Sequence, residues 1–345
     1  MKNYKKKYEA RLRSFAGSIS VVNEPVAFYG TRCLHCYELL QEPNTDVHQA
    51  CNKRFYGQLK TPVLGYNLQN LQDLATKIIQ SQMAVTGVQA KVSLSLYRKE
   101  EKNLAKKLTI VGLYGDYILK PPSEFYPNLP ELESVTMHMA AVCGLQVVPH
   151  SLVYLQDNTL CYITKRVDRT RTGKLQMEDM CQLSERLTED KYKGSHEQVA
   201  KLILKYSSNP LLDVGNFYEQ VLFSFFTGNA DMHLKNFSLL ENVNRGLSLC
   251  PAYDLVPTAL VNKADSEELA LTLNAKKRKL KYQDFLAAYQ NSGLSKRVLD
   301  NTLELFRYCK PEMFDVLEEC FLSDELKMDY RVLINNRFKQ LGLEQ

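Results

Sequence analysis

The chain has 345 residues, 45% hydrophobic and 24% charged, which is the balance of an ordinary globular protein with room for two or three cored domains. No apolar run reaches the roughly 18 residues of a membrane span. Met1-Lys2-Asn3-Tyr4-Lys5-Lys6-Lys7 has no apolar core behind it, so neither membrane anchor nor signal peptide is expected, and the expected location is cytoplasmic. Nine cysteines, an odd number scattered along the chain, argue against a disulfide framework, and the net charge of +5 is mild.

Residues 1–30 read as a basic lead-in. Behind it, Cys33-Leu34-His35-Cys36 is followed after eleven residues by His48-Gln49-Ala50-Cys51. Cys-x2-Cys with His-x2-Cys supplies four tetrahedral zinc ligands, Cys33, Cys36, His48 and Cys51, joined through the turn-like Pro43-Asn44-Thr45-Asp46. So small a unit builds little core, and metal would supply its folding energy. The same residues also read as plain reduced cysteines, and His35, between two of them, is the less suitable ligand.

Strand-like runs at 92–97, 108–111, 117–119, 152–155 and 160–164, with one helix among them, follow. Thr86-Gly87-Val88-Gln89-Ala90-Lys91 precedes the first; a glycine there lets backbone amides approach phosphates, or simply makes a β-turn. Lys120 ends the apolar run Tyr117-Ile118-Leu119, where it can reach phosphates and pair with a helix carboxylate, or merely snorkel. Pro130 suits a helix start, and Glu133 in Leu129-Pro130-Glu131-Leu132-Glu133 is the expected partner of Lys120. Glu131 competes but reads as a solvated first-turn residue.

From Gln176 the apolar spacing is mainly helical, at 196–206, 217–226, 281–290, 298–305, 313–320 and 330–341. A strand-like run at 269–273 leads into Lys276-Lys277-Arg278-Lys279-Leu280-Lys281, read as a solvated turn or a non-specific phosphate contact. Between the helices lies Asn229-Ala230-Asp231-Met232-His233-Leu234-Lys235-Asn236, and then Tyr253-Asp254. Asp-x4-Asn followed by a separate Asp is the order a kinase-type site needs: Asp231 as base, Asn236 and Asp254 as magnesium ligands. His233 and Lys235 lie inside the loop, placed to order it or balance its charge. Alone, the stretch also reads as a polar turn closing a helix.

Six segments in order resemble the HipA family, the serine/threonine kinase toxins of bacterial toxin–antitoxin modules. They are the Thr86–Lys91 loop, Ile118-Leu119-Lys120-Pro121, Leu129–Glu133 with Met137, Thr164-Lys165-Arg166-Val167-Asp168-Arg169, Gln176-Met177-Glu178-Asp179-Met180-Cys181-Gln182, and the 229–236 loop with Tyr253-Asp254. The likeness runs from about residue 60 onward and is closest to the short HipT-like form, which lacks the family's N-terminal β-rich subdomain. Ala84 stands where family members carry an inhibitory autophosphorylation serine, which leaves Thr86 as the hydroxyl beside the loop glycine.

The resemblance implies an α+β, bilobal protein-kinase-like fold with a β-rich N-lobe and an all-helical C-lobe, behind the small zinc-knuckle-like module. The expected divisions are 1–60 for lead-in and knuckle, 61–168 for the N-lobe and 169–345 for the C-lobe. It implies ATP and Mg2+ as cofactors, with Thr86, Gly87, Val88, Gln89, Lys91, Lys120 and Glu133 around the nucleotide. It further implies a HipB-like DNA-binding antitoxin, a separate small HipS-like partner, contact with DNA only through the antitoxin, and a translation protein such as an aminoacyl-tRNA synthetase as substrate. The alternative is a pseudokinase scaffold that binds nucleotide and the antitoxin.

Overall fold

The computed structural model describes residues 32–343 except 43–44, 72, 74–90, 98–105, 112–114, 124, 127, 171–172 and 245. Thr86, Gly87, Val88 and Gln89 lie outside the described residues, as do Ala84 and the 1–31 lead-in; Lys91 lies inside.

A six-stranded sheet forms the N-lobe, in the order β1-β3-β2-β4-β6-β5. The strands are β1 (Val63–Leu64), β2 (Val92–Tyr97), β3 (Lys107–Ile110), β4 (Tyr117–Lys120), β5 (His150–Tyr154) and β6 (Leu160–Lys165). All neighbours are antiparallel except β1 with β3. Because side chains alternate along a strand, the sheet feeds two cores. Val153, Cys161 and Ile163 join Val92, Leu94 and Leu119 on one face. Leu152 and Tyr162 turn to the other, where helix α2 (Leu129–Val142) packs. Helix α1 (Gln49–Tyr56) carries Phe55 and Tyr56 onto the first core, while Cys33, Leu34 and Tyr37 enter the second. The N-terminal module thus shares the lobe's cores.

Helix α2 carries the expected Pro130 as its second residue and buries nine residues, Glu133 among them. Glu131 is not the solvated residue its first-turn position suggested. It is half-buried, its Oε2 has no hydrogen-bond partner among the described residues, and burial pushes its carboxyl up to about 7. A carboxyl raised above its unfolded value stabilises fully below that value and loses the contribution as pH rises through the folded one. Glu131→Gln should therefore stabilise the fold above pH 7 and not near pH 4, and partial exposure keeps the gain to about 1 kcal/mol. Urea unfolding at both pH values checks this; an equal effect at the two would reject it.

In the C-lobe, helix α3 (Met180–Leu183) follows strand β7 (Met177–Asp179), and helices α4 (His196–Tyr206) and α5 (Pro210–Thr227) follow that. Helix α5 is apolar nearly all round and central. Helices α6 (Thr258–Val261), α7 (Tyr282–Asn291), α8 (Lys296–Glu319) and α9 (Asp324–Gln340) complete the lobe. The lobe also carries a small antiparallel sheet, β7-β8-β9, with β8 (Ser238–Glu241) and β9 (Leu247–Leu249), whose strands are too short for a period-2 signal.

Two expectations fail locally. The segments 298–305 and 313–320 are one helix, α8, running through Pro311. Phe306, Cys309 and Met313 are buried around the proline, and that packing outweighs the lost backbone bond. Among the described residues the 269–273 run makes only the isolated bridges Ser195–Thr272 and Leu273–Lys276; its leucines are buried as an irregular segment. The basic run behind it turns back, with Lys276 on Asp284 and Lys277 on Glu267. No helix among the described residues is long and apolar enough to cross a membrane.

Candidate active site

Strand β4 and helix α2 face each other across the second core. The alternation along β4 turns Lys120 inward beside Tyr162, its register partner on β6. Its ammonium lies 2.6 and 2.8 Å from the two carboxylate oxygens of Glu133. The expected pair is present, and both residues are buried. The same ammonium donates to Asp254 Oδ1 at 2.5 Å, and Lys91 Nζ reaches Asp254 Oδ2 at 2.9 Å. Residues distant in sequence thus converge as two lysines and two carboxylates.

Their electrostatics follow from burial and pairing. Burial works against the Lys120 ammonium, but Asp254 and Glu133 outweigh it and leave its pKa above the ordinary value. Burial would raise Asp254; Lys120 and Lys91 reverse this and hold it well below the usual carboxylate range. Burial is the larger influence on Glu133 and leaves it above the ordinary range, against the pull of Lys120. Asp254 adopts φ +61°, in the left-handed region that aspartate tolerates better than most residues. Strained backbone of this kind collects at functional sites.

The second acid comes from the end of α5. Gly228 caps that helix at φ +70°, a left-handed conformation that favours glycine, and a Cβ there would push on the Leu333 side chain. The chain then turns into the 229–236 loop. Asp231 N is bonded to Asn229 Oδ1, and Ala230 N to Thr258 Oγ1. Asn236 Nδ2 donates to the Asp231 carbonyl at 3.0 Å, which closes the loop on itself. Lys235 Nζ reaches Asp179 Oδ2 at 2.8 Å, and Tyr253 Oη donates to the Lys235 carbonyl. Lys235 is therefore committed to tethering the loop. Asp179 also caps α3 through Gln182, so the 176–182 motif forms the loop's anchor. Burial holds His233 below its ordinary pKa, and the charges of both Asp231 and Asp254 reach it.

Asp168 from the 164–169 motif is buried and gripped by Arg166 at 2.9 Å and Arg169 at 2.7 Å. The Arg166 backbone N–H donates to the Asp116 carbonyl, tying this stretch to the approach to β4.

Tyr192 was not anticipated. Its Oη donates to Asp231 Oδ1 at 2.6 Å, and its ring lies edge-on to His233. It stands in an exposed polar stretch with no motif around it, so the sequence holds no signal for this contact. The four candidate zinc ligands also come together. Cys33, Cys36, His48 and Cys51 place their donor atoms within 4.8 Å of one another. His35 stays out of that group and packs its ring on Phe55 instead.

Fold and site define a bilobal, kinase-like protein. The HipA-like C-terminal domain family matches residues 83–310, about two thirds of the chain, and the chain belongs to that family. It is 30% identical over 243 residues to the putative kinase Y4dM of Sinorhizobium fredii, covering 65% of this chain and 58% of that protein. It is 27% identical over 213 residues to the serine/threonine-protein kinase toxin HipA of Shewanella oneidensis, covering 56% of this chain and 47% of the toxin. The chain thus spans about half the length of these two relatives. Among solved structures, the Shewanella oneidensis HipA, HipB and operator DNA complex contains a chain with a TM-score of 0.64 at 21% identity, covering 78% of this chain and 71% of that one. At that identity the likeness speaks for the fold.

Proposed function

We propose that this protein is an ATP- and Mg2+-dependent serine/threonine protein kinase, the toxin of a HipA-like toxin–antitoxin module. The observation that carries the reading is the convergence of Lys91 and Lys120 on Asp254, with Glu133 holding Lys120 from its other side and the charges of Asp231 and Asp254 both reaching His233. Asp254 and the Asn236 amide are hard oxygen donors suited to Mg2+, and the two ammonium groups suit a polyphosphate. Bound Mg2+ would neutralise charge developing on the transferred phosphoryl group.

The chain's own residues divide the remaining work. Glu133 fixes the Lys120 ammonium at the floor of the site, where it can meet phosphate oxygens. Lys91 offers a second, more exposed ammonium. Asp231 accepts the proton of the attacking hydroxyl, while Tyr192 holds its Oδ1. Burial keeps His233 neutral near pH 7, so it leaves the Asp231 charge available. Lys235 and Asn236 hold the loop that presents this carboxylate.

Membership of the family supports a protein substrate in translation, such as an aminoacyl-tRNA synthetase. The solved relative's complex with HipB and operator DNA supports a HipB-like antitoxin here, with DNA reached through it. A small HipS-like protein completing the N-lobe belongs to the same proposal.

Transfer of labelled phosphate from ATP to protein substrate tests the reading, with none expected from a pseudokinase. Asp254→Ala should abolish Mg2+-dependent nucleotide binding measured by calorimetry. Binding as tight as wild type, with the same Mg2+ dependence, would remove Asp254 from the metal site.

A further inference from the structure

The N-terminal knuckle has features that ordinary buried cysteines do not require. The six other cysteines are buried, and although Cys143 and Cys309 lie side by side, none of the six belongs to a cluster of metal-ligating groups among the described residues. Cys33, Cys36 and Cys51 instead converge with a histidine on one point. A tetrahedral Zn2+ with ordinary bond lengths separates a sulfur and a nitrogen ligand by about 3.5 Å. Cys36 Sγ and His48 Nδ1 are 3.4 Å apart. The other ring nitrogen, His48 Nε2, lies 3.2 Å from the Leu39 carbonyl, the kind of partner that orients a metal-bound imidazole. The His48 backbone N–H donates to Cys33 Sγ at 3.4 Å. Tyr37, directly after the second cysteine, takes φ +64° and folds the turn back.

That turn grips the kinase lobe through residues beside the ligands. The Leu34 carbonyl accepts from Leu152 N and Ser151 Oγ on β5. The His35 carbonyl lies 2.8 Å from His138 Nε2 on α2. Tyr37 stacks on His138 at 4.3 Å between centroids, and its hydroxyl donates to Ser134 Oγ at 2.7 Å. Ser134 adjoins Glu133 in the chain. A continuous path of contacts therefore links the knuckle to the carboxylate that holds Lys120.

We propose that Cys33, Cys36, His48 and Cys51 bind one Zn2+ ion, and that the metal-tied turn is a clamp setting helix α2 and with it Glu133. The second half rests on the kinase reading above; the first does not. Zinc closes the turn at both cysteines, and Leu34, His35 and Tyr37 transmit that fixed shape to α2. Without the metal the turn has only a few hydrogen bonds to define it, and α2 loses its outer support on the side of Ser134 and His138.

Elemental analysis of the full chain purified without chelator should give about one zinc per chain, as four N/S ligands allow. His48→Ala should lose the metal and His48→Cys should keep it, since cysteine is an equivalent ligand. Stripping zinc should raise hydrogen exchange in α2 by roughly tenfold or more while α5 stays protected, and zinc restored to the same sample should reverse this. Zinc near zero, another metal at full occupancy, or full zinc in His48→Ala would overturn the site. Unchanged exchange in α2, or loss of protection in α5 as well, would overturn the clamp. None of these readouts uses nucleotide. Zinc-loaded Lys120→Met that binds ATP as well as wild type would instead count against the kinase reading and leave the clamp standing.

Discussion

Asp231→Asn lowers phosphoryl transfer by about 10²–10⁴-fold, the usual contribution of a positioned acid–base group. The change is nearly isosteric. An asparagine at 231 still offers an oxygen to Tyr192, whose hydroxyl now contacts Oδ1 at 2.6 Å. The loop keeps its shape because Asn236 Nδ2 binds the backbone carbonyl of residue 231, not its side chain. Lys235 on Asp179 and Ala230 on Thr258 are equally untouched. Nucleotide affinity should stay near wild type, because Asp254, Lys120 and Glu133 are unchanged. The loss should thus fall on kcat. Initial rates with labelled ATP, alongside a calorimetric Kd, separate the two. A rate close to wild type would mean that another group takes the proton; a large loss of affinity would mean that Asp231 belongs to the binding site instead.

The parts of this site legible in the sequence are those whose chemistry and spacing are local. Asp231 and Asn236 share one loop, so their relation can be read as Asp-x4-Asn. Lys120 ends a strand and Glu133 begins a helix, and an apolar strand followed by a helix with an early carboxylate is a readable order. What could not be read depends on contacts between distant segments. Tyr192 meets Asp231 across 39 positions, and Asp179 meets Lys235 across 56. Neither contact leaves a spacing signal. Glu131 looked solvated because first-turn acids usually are, yet the site it occupies buries one oxygen without a partner among the described residues. The runs 298–305 and 313–320 read as two helices, yet one helix carries Pro311 between them, held by the packing of its neighbours. The 269–273 run alternates like a strand, but no strand ladder pairs with it. In each case local propensity is a weak energy beside tertiary packing.

Lys120→Met should both abolish nucleotide binding and destabilise the fold by about 3–5 kcal/mol, the cost of leaving a buried charge without its partner. Glu133 is almost fully enclosed, and Lys120 is its bidentate partner at 2.6 and 2.8 Å. Removing the ammonium leaves that carboxylate in a low-dielectric pocket. Asp254 suffers less, since Lys91 remains on its other oxygen. The reverse change is milder: in Glu133→Leu, Lys120 keeps Asp254 at 2.5 Å, so its charge stays compensated. The double variant Lys120→Met with Glu133→Leu replaces the pair by apolar groups of similar bulk. It should recover most of the stability lost in Lys120→Met, because no carboxylate is then stranded. It should recover no nucleotide binding, because no ammonium faces the phosphates. Urea unfolding of the four proteins gives the coupling energy, and calorimetry with ATP gives the binding. If the two single losses simply add in the double variant, the pair is not coupled and Glu133 is not what holds Lys120. If the double variant binds ATP, the phosphate contact lies elsewhere. A double variant more stable than wild type that still binds no ATP would show that this pair is kept for its function at a net cost to the fold.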